Sequence, residues 1–135
     1  MATEITVMLA VTDARAAVEF YEKAFGAEVD WTVGGDEHMV AGMAIDGARF
    51  FLATESPEFG TRGPSGAGFT TVRIEIFVDD PVAVHAKALA AGARQHSEVK
   101  EHKYPTVGPN PIGRMLQGAV VDPSGHLWLI GKFLD

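Results

Sequence analysis

The sequence predicts an α+β fold in which two βαβββ modules follow one another, and three recurring patterns carry this prediction. A first strand, a helix and a final hairpin each occur twice, at similar separations along the 135-residue chain. We assign about 4–54 to module one, 55–70 to a linker and about 71–133 to module two. A module of roughly 60 residues buries too little surface to be stable alone. We therefore expect the two sheets to join into one unit that carries a cleft.

The first strand of each module is predicted from the alternation of apolar and other residues, which is typical of a half-buried strand. The two segments are "EITVMLAVTD" and "VRIEIFVDD", and Ile5 and Val72 occupy equivalent places in them. We expect the helices to cover the apolar faces, which carry Ile5, Val7, Leu9 and Val11 in module one and Val72, Ile74, Ile76 and Val78 in module two. The cleft would then be lined by the opposite faces, which carry Thr6, Met8 and Ala10 and, in module two, Arg73, Glu75 and Phe77.

Each first strand runs into a helix whose ends are marked in the sequence. Asp13 is a suitable N-cap for "ARAAVEFYEKAF", and Gly26 suits the left-handed residue that stops a helix. Asp80 can cap a second helix with Pro81 in its first position, where the missing N–H costs nothing. Gly92 ends this second helix, in the place that corresponds to Gly26.

The final hairpins of the two modules also correspond. "GARFFLA" at 47–53 matches "GHLWLIG" at 125–131, and each follows a turn. The turn "DPSG" before the second segment has the composition of a type I turn, with Asp first, Pro second and Gly fourth. His126 follows this turn directly, so we predict that it is a hairpin residue with a structural hydrogen bond rather than a metal ligand.

Composition narrows the classes of function. The chain has a formal net charge of −7 and no basic stripe, which disfavours nucleic-acid binding. It has no cysteine, so any metal would need His, Asp or Glu ligands. No apolar run has the length of a membrane helix, and the N-terminal residues do not have the pattern of a secretory signal. We therefore expect a cytoplasmic protein with no nucleic-acid or membrane partner.

The βαβββ repeat, together with "VTDARAAVEFYEKAFGAEV" in module one and "VVDPSGHLWLI" at the end, resembles the vicinal oxygen chelate superfamily. This superfamily contains glyoxalase I, bleomycin-resistance proteins and extradiol dioxygenases. The segment "DARAAVEFYEKAFGAE" is similar in sequence to members of its PhnB-like branch. The resemblance implies a fold but not one activity, because the same fold hosts isomerases, lyases, dioxygenases and drug-binding proteins.

The resemblance also implies where a metal would bind. Metal-dependent members carry ligands at positions that fall here at Thr6 and Phe51 of module one and at Arg73 and Leu129 of module two. Phenylalanine and leucine offer no lone pair, arginine is a permanent cation, and a lone threonine is a weak ligand. We therefore expect no metal or other cofactor, and neither glyoxalase I nor dioxygenase chemistry.

A ligand in the cleft would meet apolar and aromatic residues with a few polar groups, as in most small-molecule sites. The candidate ligand-binding residues are Met8, Trp31, His38, Phe51, Arg73, Glu75, Phe77, Tyr104, Gln117 and Leu129.

Several of these residues have a plain structural alternative. Arg73 and Glu75 lie two apart on one face, so they either contact a ligand or pair with each other. Trp31 could be a packing residue and His38 a solvated one. Tyr104 belongs to a Pro- and Gly-rich segment at about 100–113, which would be either a lid or a surface loop. His85 and His96 are expected on the surface.

Two functions fit these residues, and a third possibility is a closed pocket in a protein that acts through its surface. The first is a metal-independent small-molecule-binding protein of the bleomycin-resistance type, which would sequester an aromatic or charged ligand. The alternative is a metal-free lyase or isomerase with Glu75 as base and Arg73 as anion stabiliser. The resemblance further implies a homodimer whose clefts are shared between the two chains.

Overall fold

The described residues form two four-stranded mixed sheets, each with one long helix packed against it. The computed structural model of the chain describes residues 1–104 and 113–134. Module one consists of β1 (Met8–Val11), α1 (Ala14–Phe25), β2 (Glu28–Gly34), β3 (Met39–Ile45) and β4 (Ala48–Thr54). A 3₁₀ turn (Pro57–Phe59) and the short helix α2 (Pro64–Ala67) follow in the linker. Module two consists of β5 (Arg73–Phe77), α3 (Pro81–Ala90), β6 (Arg94–Lys103), β7 (Arg114–Val121) and β8 (Leu127–Phe133).

The strand order is the same in the two sheets, β1-β4-β3-β2 and β5-β8-β7-β6. β1 pairs in parallel with β4 so that Met8 lies opposite Phe51, and β5 pairs in parallel with β8 so that Glu75 lies opposite Leu129. Met8 and Glu75 have the spacing of the repeated first strands, and Phe51 and Leu129 have the spacing of the repeated hairpins. The predicted α+β fold with two tandem modules is therefore confirmed.

The helix boundaries follow their predicted caps. The Asp13 side chain accepts a hydrogen bond from the backbone N–H of Ala16 at 3.0 Å, and Gly26 has the left-handed φ of 66° that ends α1. Asp80 caps α3 in the same way through the N–H of Ala83 at 3.1 Å. Pro81 is the first residue of that helix. Local chemistry thus sets the start of both helices.

The first strands are shorter than predicted. β1 begins at Met8, and its ladder ends at the hydrogen bond that the N–H of Phe51 donates to the Val7 carbonyl, at 2.8 Å. The Ile5 side chain is 91% exposed, so the prediction that it packs under a helix is wrong. Val72, its counterpart, precedes β5 and is 56% exposed. In each module the alternating pattern is longer than the stretch of chain that pairs.

The predictions for His85 and for the 100–113 segment also need correction. His85 is buried on the inner face of α3, where its Nε2 donates to the Ser97 carbonyl at 3.0 Å. The imidazole can be buried because its polar atom has a backbone partner. β6 continues to Lys103, so the first residues of the predicted loop belong to a strand. Residues 105–112 lie outside the described residues. No helix in the described ranges is long and apolar enough to cross a membrane.

The two modules share one aromatic core. The Trp128 ring of β8 lies 4.8 Å from Phe25, 5.4 Å from Tyr21 and 5.8 Å from Phe50, measured between ring centroids. Trp128 comes from module two, whereas the other three rings come from module one. Rings at these distances contribute more than their buried area alone. The aromatic cluster therefore joins the modules rather than stabilising each one separately.

A buried carboxylate completes the joint between the modules. Asp122, at the turn before β8, accepts hydrogen bonds from the Tyr21 hydroxyl and from the Trp128 indole N–H at 3.0 Å. It also accepts from the backbone N–H groups of Ser124 at 2.9 Å and His126 at 3.0 Å. A buried charge needs such partners, since an unpaired one costs several kcal/mol. Asp122 therefore links α1 of module one to the hairpin of module two.

The same hairpin covers part of the open edge of β1. The His126 Nε2 donates to the Ala10 carbonyl at 2.7 Å, and the backbone N–H of Thr12 donates to the Ser124 hydroxyl at 3.2 Å. These contacts satisfy backbone groups that would otherwise lack a strand partner. The predicted structural hydrogen bond of His126 is confirmed.

We predict that Tyr21→Phe lowers the free energy of unfolding by about 1–3 kcal/mol, because it removes a hydrogen bond to a charged group. Burial, followed by the charge of Asp122, raises the pKa of Tyr21 well above its usual value. Tyr21 is thus protonated in the folded chain, while it ionises in the unfolded chain above about pH 10. The wild type should therefore lose stability as the pH rises beyond that point.

Urea unfolding between pH 8 and pH 11 tests both parts of this prediction. In the Tyr21→Phe variant the alkaline loss of stability should be shallower by one titrating group. Tyr104→Phe is the matched control, since Tyr104 is 39% exposed and its ring stacks on His102 instead. Equal alkaline slopes in the wild type and in Tyr21→Phe would contradict the prediction.

Candidate functional site

One row of side chains crosses the open face of the module-one sheet. Met8, Phe51, Gly42 and Trp31 lie opposite one another on the four successive strands. The Trp31 and Phe51 rings meet edge to face, with centroids 5.0 Å apart. A Cβ atom added at Gly42 would lie 2.5 Å from the indole, so the indole rests directly on the backbone of Gly42. This row forms an apolar platform on which Trp31 is 39% exposed.

The equivalent row of module two carries an acidic residue at one end. Glu75, Leu129, Ala119 and Ser97 occupy the corresponding places on β5, β8, β7 and β6. Glu75 replaces Met8, and its carboxylate accepts a hydrogen bond from the side-chain amide of Gln117. The two open faces are therefore built alike but differ in chemistry.

Glu75 and Gln117 lie in a depression of about 360 Å³ on this face of module two. The depression is also lined by Arg73, Tyr104, Leu129 and Phe133. Phe77 stacks on Phe133 beside it, with centroids 4.8 Å apart, and both rings are about half exposed. The depression thus combines a carboxylate, a guanidinium and aromatic rings, all open to solvent in the single chain.

Arg73 and Glu75 do not pair with each other in the described part of the chain, although both lie on one face of β5. The hydrogen-bond partner of Glu75 is Gln117 on β7, two strands away. Gly131 lies between Gln117 and Phe77 in the row alongside and has no side chain. The long Gln117 side chain can therefore extend across β8 to Glu75.

The remaining candidate residues divide between the border of this depression and more distant places. Tyr104 follows β6, and its ring stacks on that of His102 at 6.2 Å. The His102 Nε2 donates to the Gln117 carbonyl at 3.2 Å, and Tyr104 lines the module-two depression together with Gln117. His38 is exposed in the turn between β2 and β3 and lies apart from the row that contains Trp31. Thr6 precedes β1 in an exposed segment.

The positions that the resemblance assigns to a metal carry side chains that do not fit one. Phe51 and Leu129 face the two open surfaces with apolar side chains, and Arg73 brings a positive charge. Within residues 1–104 and 113–134, no group of three or more His, Asp or Glu is placed to hold a metal ion. The donor chemistry of these positions therefore supports no step that passes through a metal.

Sequence reasoning did not identify Gly42 as part of the Trp31 platform, nor the contact of His102 with Gln117. Gly42 matters because Trp31 lies upon it, which is visible only when the register of β2 and β3 is known. The sequence assigns His102 to a loop, whereas it lies in β6. The alternation of β6 is interrupted by register shifts, so its sequence has no clean period of two.

The chain resembles a known protein family and two uncharacterized mycobacterial proteins in sequence. The profile of the family described as the Glyoxalase/Bleomycin resistance protein/Dioxygenase superfamily matches residues 5–130. An uncharacterized protein of Mycobacterium bovis is 32% identical over 129 residues, which cover 92% of this chain and 79% of that protein. A Mycobacterium tuberculosis relative, also uncharacterized, has the same identity and is covered to 71% of its length.

Two solved structures illustrate the likeness in fold. A gene product from Arabidopsis thaliana superposes with a TM-score of 0.70 at 24% identity, over 98% of this chain and all of that one. TioX from Micromonospora sp. ML1 superposes with a TM-score of 0.65 at 22% identity, over 96% of this chain and 95% of TioX. At these identities the likeness shows the fold alone.

We predict that Gly42→Ala displaces the indole of Trp31 from the platform. The new methyl group would overlap the Nε1–Cε2 edge of the indole, which lies on an open face, so the ring should move and stability should fall by at most about 1–3 kcal/mol. Acrylamide should then quench Trp31 more strongly, whereas Trp128 stays buried at 1% exposure.

Gly35→Ala is the matched control, since a Cβ atom at Gly35 would meet nothing within 4 Å. Quenching in this control should equal that of the wild type. Unchanged quenching in Gly42→Ala would show that the indole does not rest on Gly42.

Proposed function

Because the chain belongs to the glyoxalase/bleomycin resistance protein/dioxygenase superfamily, we propose that it is a metal-independent small-molecule-binding protein. Its ligand is an aromatic or charged compound held in the cleft between a module-one face and a module-two face. Within the superfamily we propose that the chain belongs to the PhnB-like branch, because the sequence of its first helix resembles that branch. Binding without turnover would sequester the ligand, as a drug-resistance protein of this fold would do.

The contrast between the two open faces carries this proposal. Trp31, Phe51 and Met8 offer a flat apolar surface on which a planar ring can stack. Glu75 and Gln117 offer oxygen acceptors on the equivalent strands of the other module. A ligand with a planar ring and a cationic or hydrogen-bond-donating group satisfies both faces.

Arg73 adds a positive charge to the site. It lies at one end of the module-two depression with its guanidinium exposed, and it forms no ion pair with Glu75 in the part of the chain that the structure describes. A ligand that carries an anionic group as well as a cationic one would use both side chains. The side chains at the family's metal positions support binding without a metal, since none of them supplies a good ligand.

We further propose that the chain acts as a homodimer with shared clefts. The open faces leave several large apolar side chains in solvent, including Met8 and Phe77 at 52% and Phe133 at 47% exposure. Exposed apolar residues of this kind commonly mark an interaction surface. A second copy would cover them by setting module one of one chain against module two of the other.

A metal-free lyase or isomerase is the second candidate. Glu75 would act as the base and Arg73 would stabilise an anionic intermediate, since both border the same depression. The hydrogen bond from Gln117 orients the carboxylate in either case. Loss of turnover in Glu75→Gln with unchanged ligand affinity would favour the enzyme over the binding protein.

We predict that a planar cation such as an acridine dye stabilises the protein more than a planar anion such as a naphthalene sulfonate. Thermal shift and titration calorimetry measure the difference. Glu75→Gln keeps the shape of the side chain but removes its charge, so we expect the affinity for the cation to fall about tenfold, which corresponds to about 1.4 kcal/mol.

Glu58→Gln is the control, because Glu58 is an exposed acid in the linker and outside the depression. Each titration should be repeated with Zn²⁺, with Mn²⁺ and with a chelator. A large stabilisation that requires a divalent metal, or equal affinities of the wild type and Glu75→Gln for the dye, would contradict the proposal.

A further inference from the structure

A groove of about 550 Å³, which we call the linker groove, lies between the linker and one end of the module-two sheet. Its lining comes from three places: the linker from Pro64 to Thr70, the start of β6, and the turn between β7 and β8. It shares no lining residue with the depression that contains Glu75 and Gln117. The linker groove is therefore a separate feature of the surface.

The linker is fixed against the module-two turn where it borders the groove. The backbone N–H of Ser65 donates to the Ser124 carbonyl at 3.0 Å. A Cβ atom added at Gly125 would lie 2.6 Å from the Ser65 backbone nitrogen, and Gly125 has a φ of 94°, so only glycine suits this close approach. The Glu55 carboxylate also accepts from the N–H of Gly63 at 2.8 Å, just before α2. The wall of the groove is thus held in place by the fold.

Arg94 belongs to a row of side chains that crosses the open face of module two. The row runs from Arg94 on β6 through Val121 on β7 and Leu127 on β8 to Arg73 on β5. The adjacent residue of β7, Val120, is fully buried in the core, so the side chains of the Arg94 row lie on the opposite face. Arg94, Val121 and Leu127 all line the linker groove.

Two basic side chains of the groove have no partner in the described part of the chain. Arg94 and His96 are exposed, and neither forms an ion pair or a side-chain hydrogen bond within residues 1–104 and 113–134. His96 lies at the register shift between Gln95 and Ser97, where the alternation of β6 is interrupted. The chain has 18 acidic and 11 basic residues, so this pair is unmatched although acids are in excess.

The acidic residue in the lining, Asp122, does not neutralise these basic groups. One oxygen of its carboxylate accepts from the backbone N–H groups of Ser124 and His126, and the other accepts from Tyr21 and Trp128. Both oxygens are therefore occupied on the core side of the turn. The donors of Arg94 and His96 remain available to a bound anion.

The internal repeat restricts this basic site to module two. Glu28 precedes Arg94 by the same number of residues as Gly26 precedes Gly92, so Glu28 is its counterpart at the start of β2. Glu28 lies opposite Ala44, as Arg94 lies opposite Val121. Module one thus has a carboxylate where module two has a guanidinium.

We propose that the linker groove binds a small aromatic oxyanion whose head is a carboxylate or a phosphate. Arg94 binds the head through two parallel N–H donors, and the imidazole of His96 adds a third donor. Phe69, which lines the groove and is 68% exposed, packs against the aromatic ring together with Leu127. The volume lies in the range of small-molecule sites. This site is independent of the cation-binding role proposed for Glu75.

Titration calorimetry with phenyl phosphate, benzoate and neutral phenol tests the proposal. The wild type should bind at least one of the two anions and should not bind phenol; the anion that binds more tightly identifies the head. Arg94→Gln should raise the dissociation constant for that anion at least about tenfold. Lys87→Gln is the matched control, because it removes one exposed positive charge on α3, outside the groove.

Two further variants separate the contributions of the head and the ring. Arg94→Lys keeps the charge but loses the paired donors, so its affinity should lie between those of the wild type and Arg94→Gln. Phe69→Ala should weaken phenyl phosphate or benzoate about fivefold, while the affinity for inorganic phosphate or acetate stays unchanged. Equal weakening of the aromatic anion and of the matching small anion would overturn the role of Phe69.

The results also distinguish this site from the one proposed around Glu75. Glu75→Gln should leave the affinity for the aromatic anion unchanged, and Arg94→Gln should leave the affinity for the acridine dye unchanged. Far-ultraviolet circular dichroism checks that each variant is folded. The proposal would be overturned by equal affinities in Arg94→Gln and Lys87→Gln, or by the absence of binding of either aromatic anion at millimolar concentration. Loss of binding in Arg73→Gln but not in Arg94→Gln would overturn it too, because the anion would then occupy the module-two depression.

Discussion

The hydrogen bonds to the buried Asp122 carboxylate determine how the two modules meet. One donor, the Tyr21 hydroxyl, comes from module one, and three come from the module-two turn and Trp128. A buried charge tolerates few arrangements of its partners, because each lost donor leaves part of the desolvation cost uncompensated. The helix α1 and the final hairpin are therefore held in one relative position. The open faces of both sheets point outward as a consequence, which leaves the candidate ligand-binding surfaces accessible.

The tandem fold could be predicted from the sequence because its signals are local. A period of two, an acidic N-cap and a turn of type "DPSG" each act within a few residues of the chain. The ends of the strands could not be predicted in this way. Ile5 alternates correctly with Val7, but a strand also needs a partner, and pairing within the chain stops at Val7. The burial of His85 could not be predicted for a related reason, because it depends on a hydrogen bond to the Ser97 carbonyl of β6.

The sequence predicts which residues lie at the candidate site, but it does not predict which of them contact each other. Alternation along one strand places Glu75 on the open face, and it suggests Arg73 as its partner because that residue is nearest in sequence. The observed partner is Gln117, which is brought close by the pairing of β7 with β8 and β8 with β5. The Trp31 platform likewise needs the register of three strand pairs. Such contacts between distant parts of the chain have no signature in a single sequence without a knowledge of strand order.

The two modules differ at a few equivalent positions, and these differences make their surfaces chemically unlike. A chain with two identical modules would present two identical open faces. The edges of β1 and β5 would also make the same contacts with the other module. Here Glu75 stands where module one has Met8, so the two open faces differ in polarity. Ala48 stands where module two has His126, and its methyl group cannot donate a hydrogen bond as His126 does to the Ala10 carbonyl, so a groove of about 550 Å³ lies open between the start of β4 and β5. Glu75 borders both that groove and the module-two depression, so the departure at this one position changes the chemistry of two adjoining surfaces.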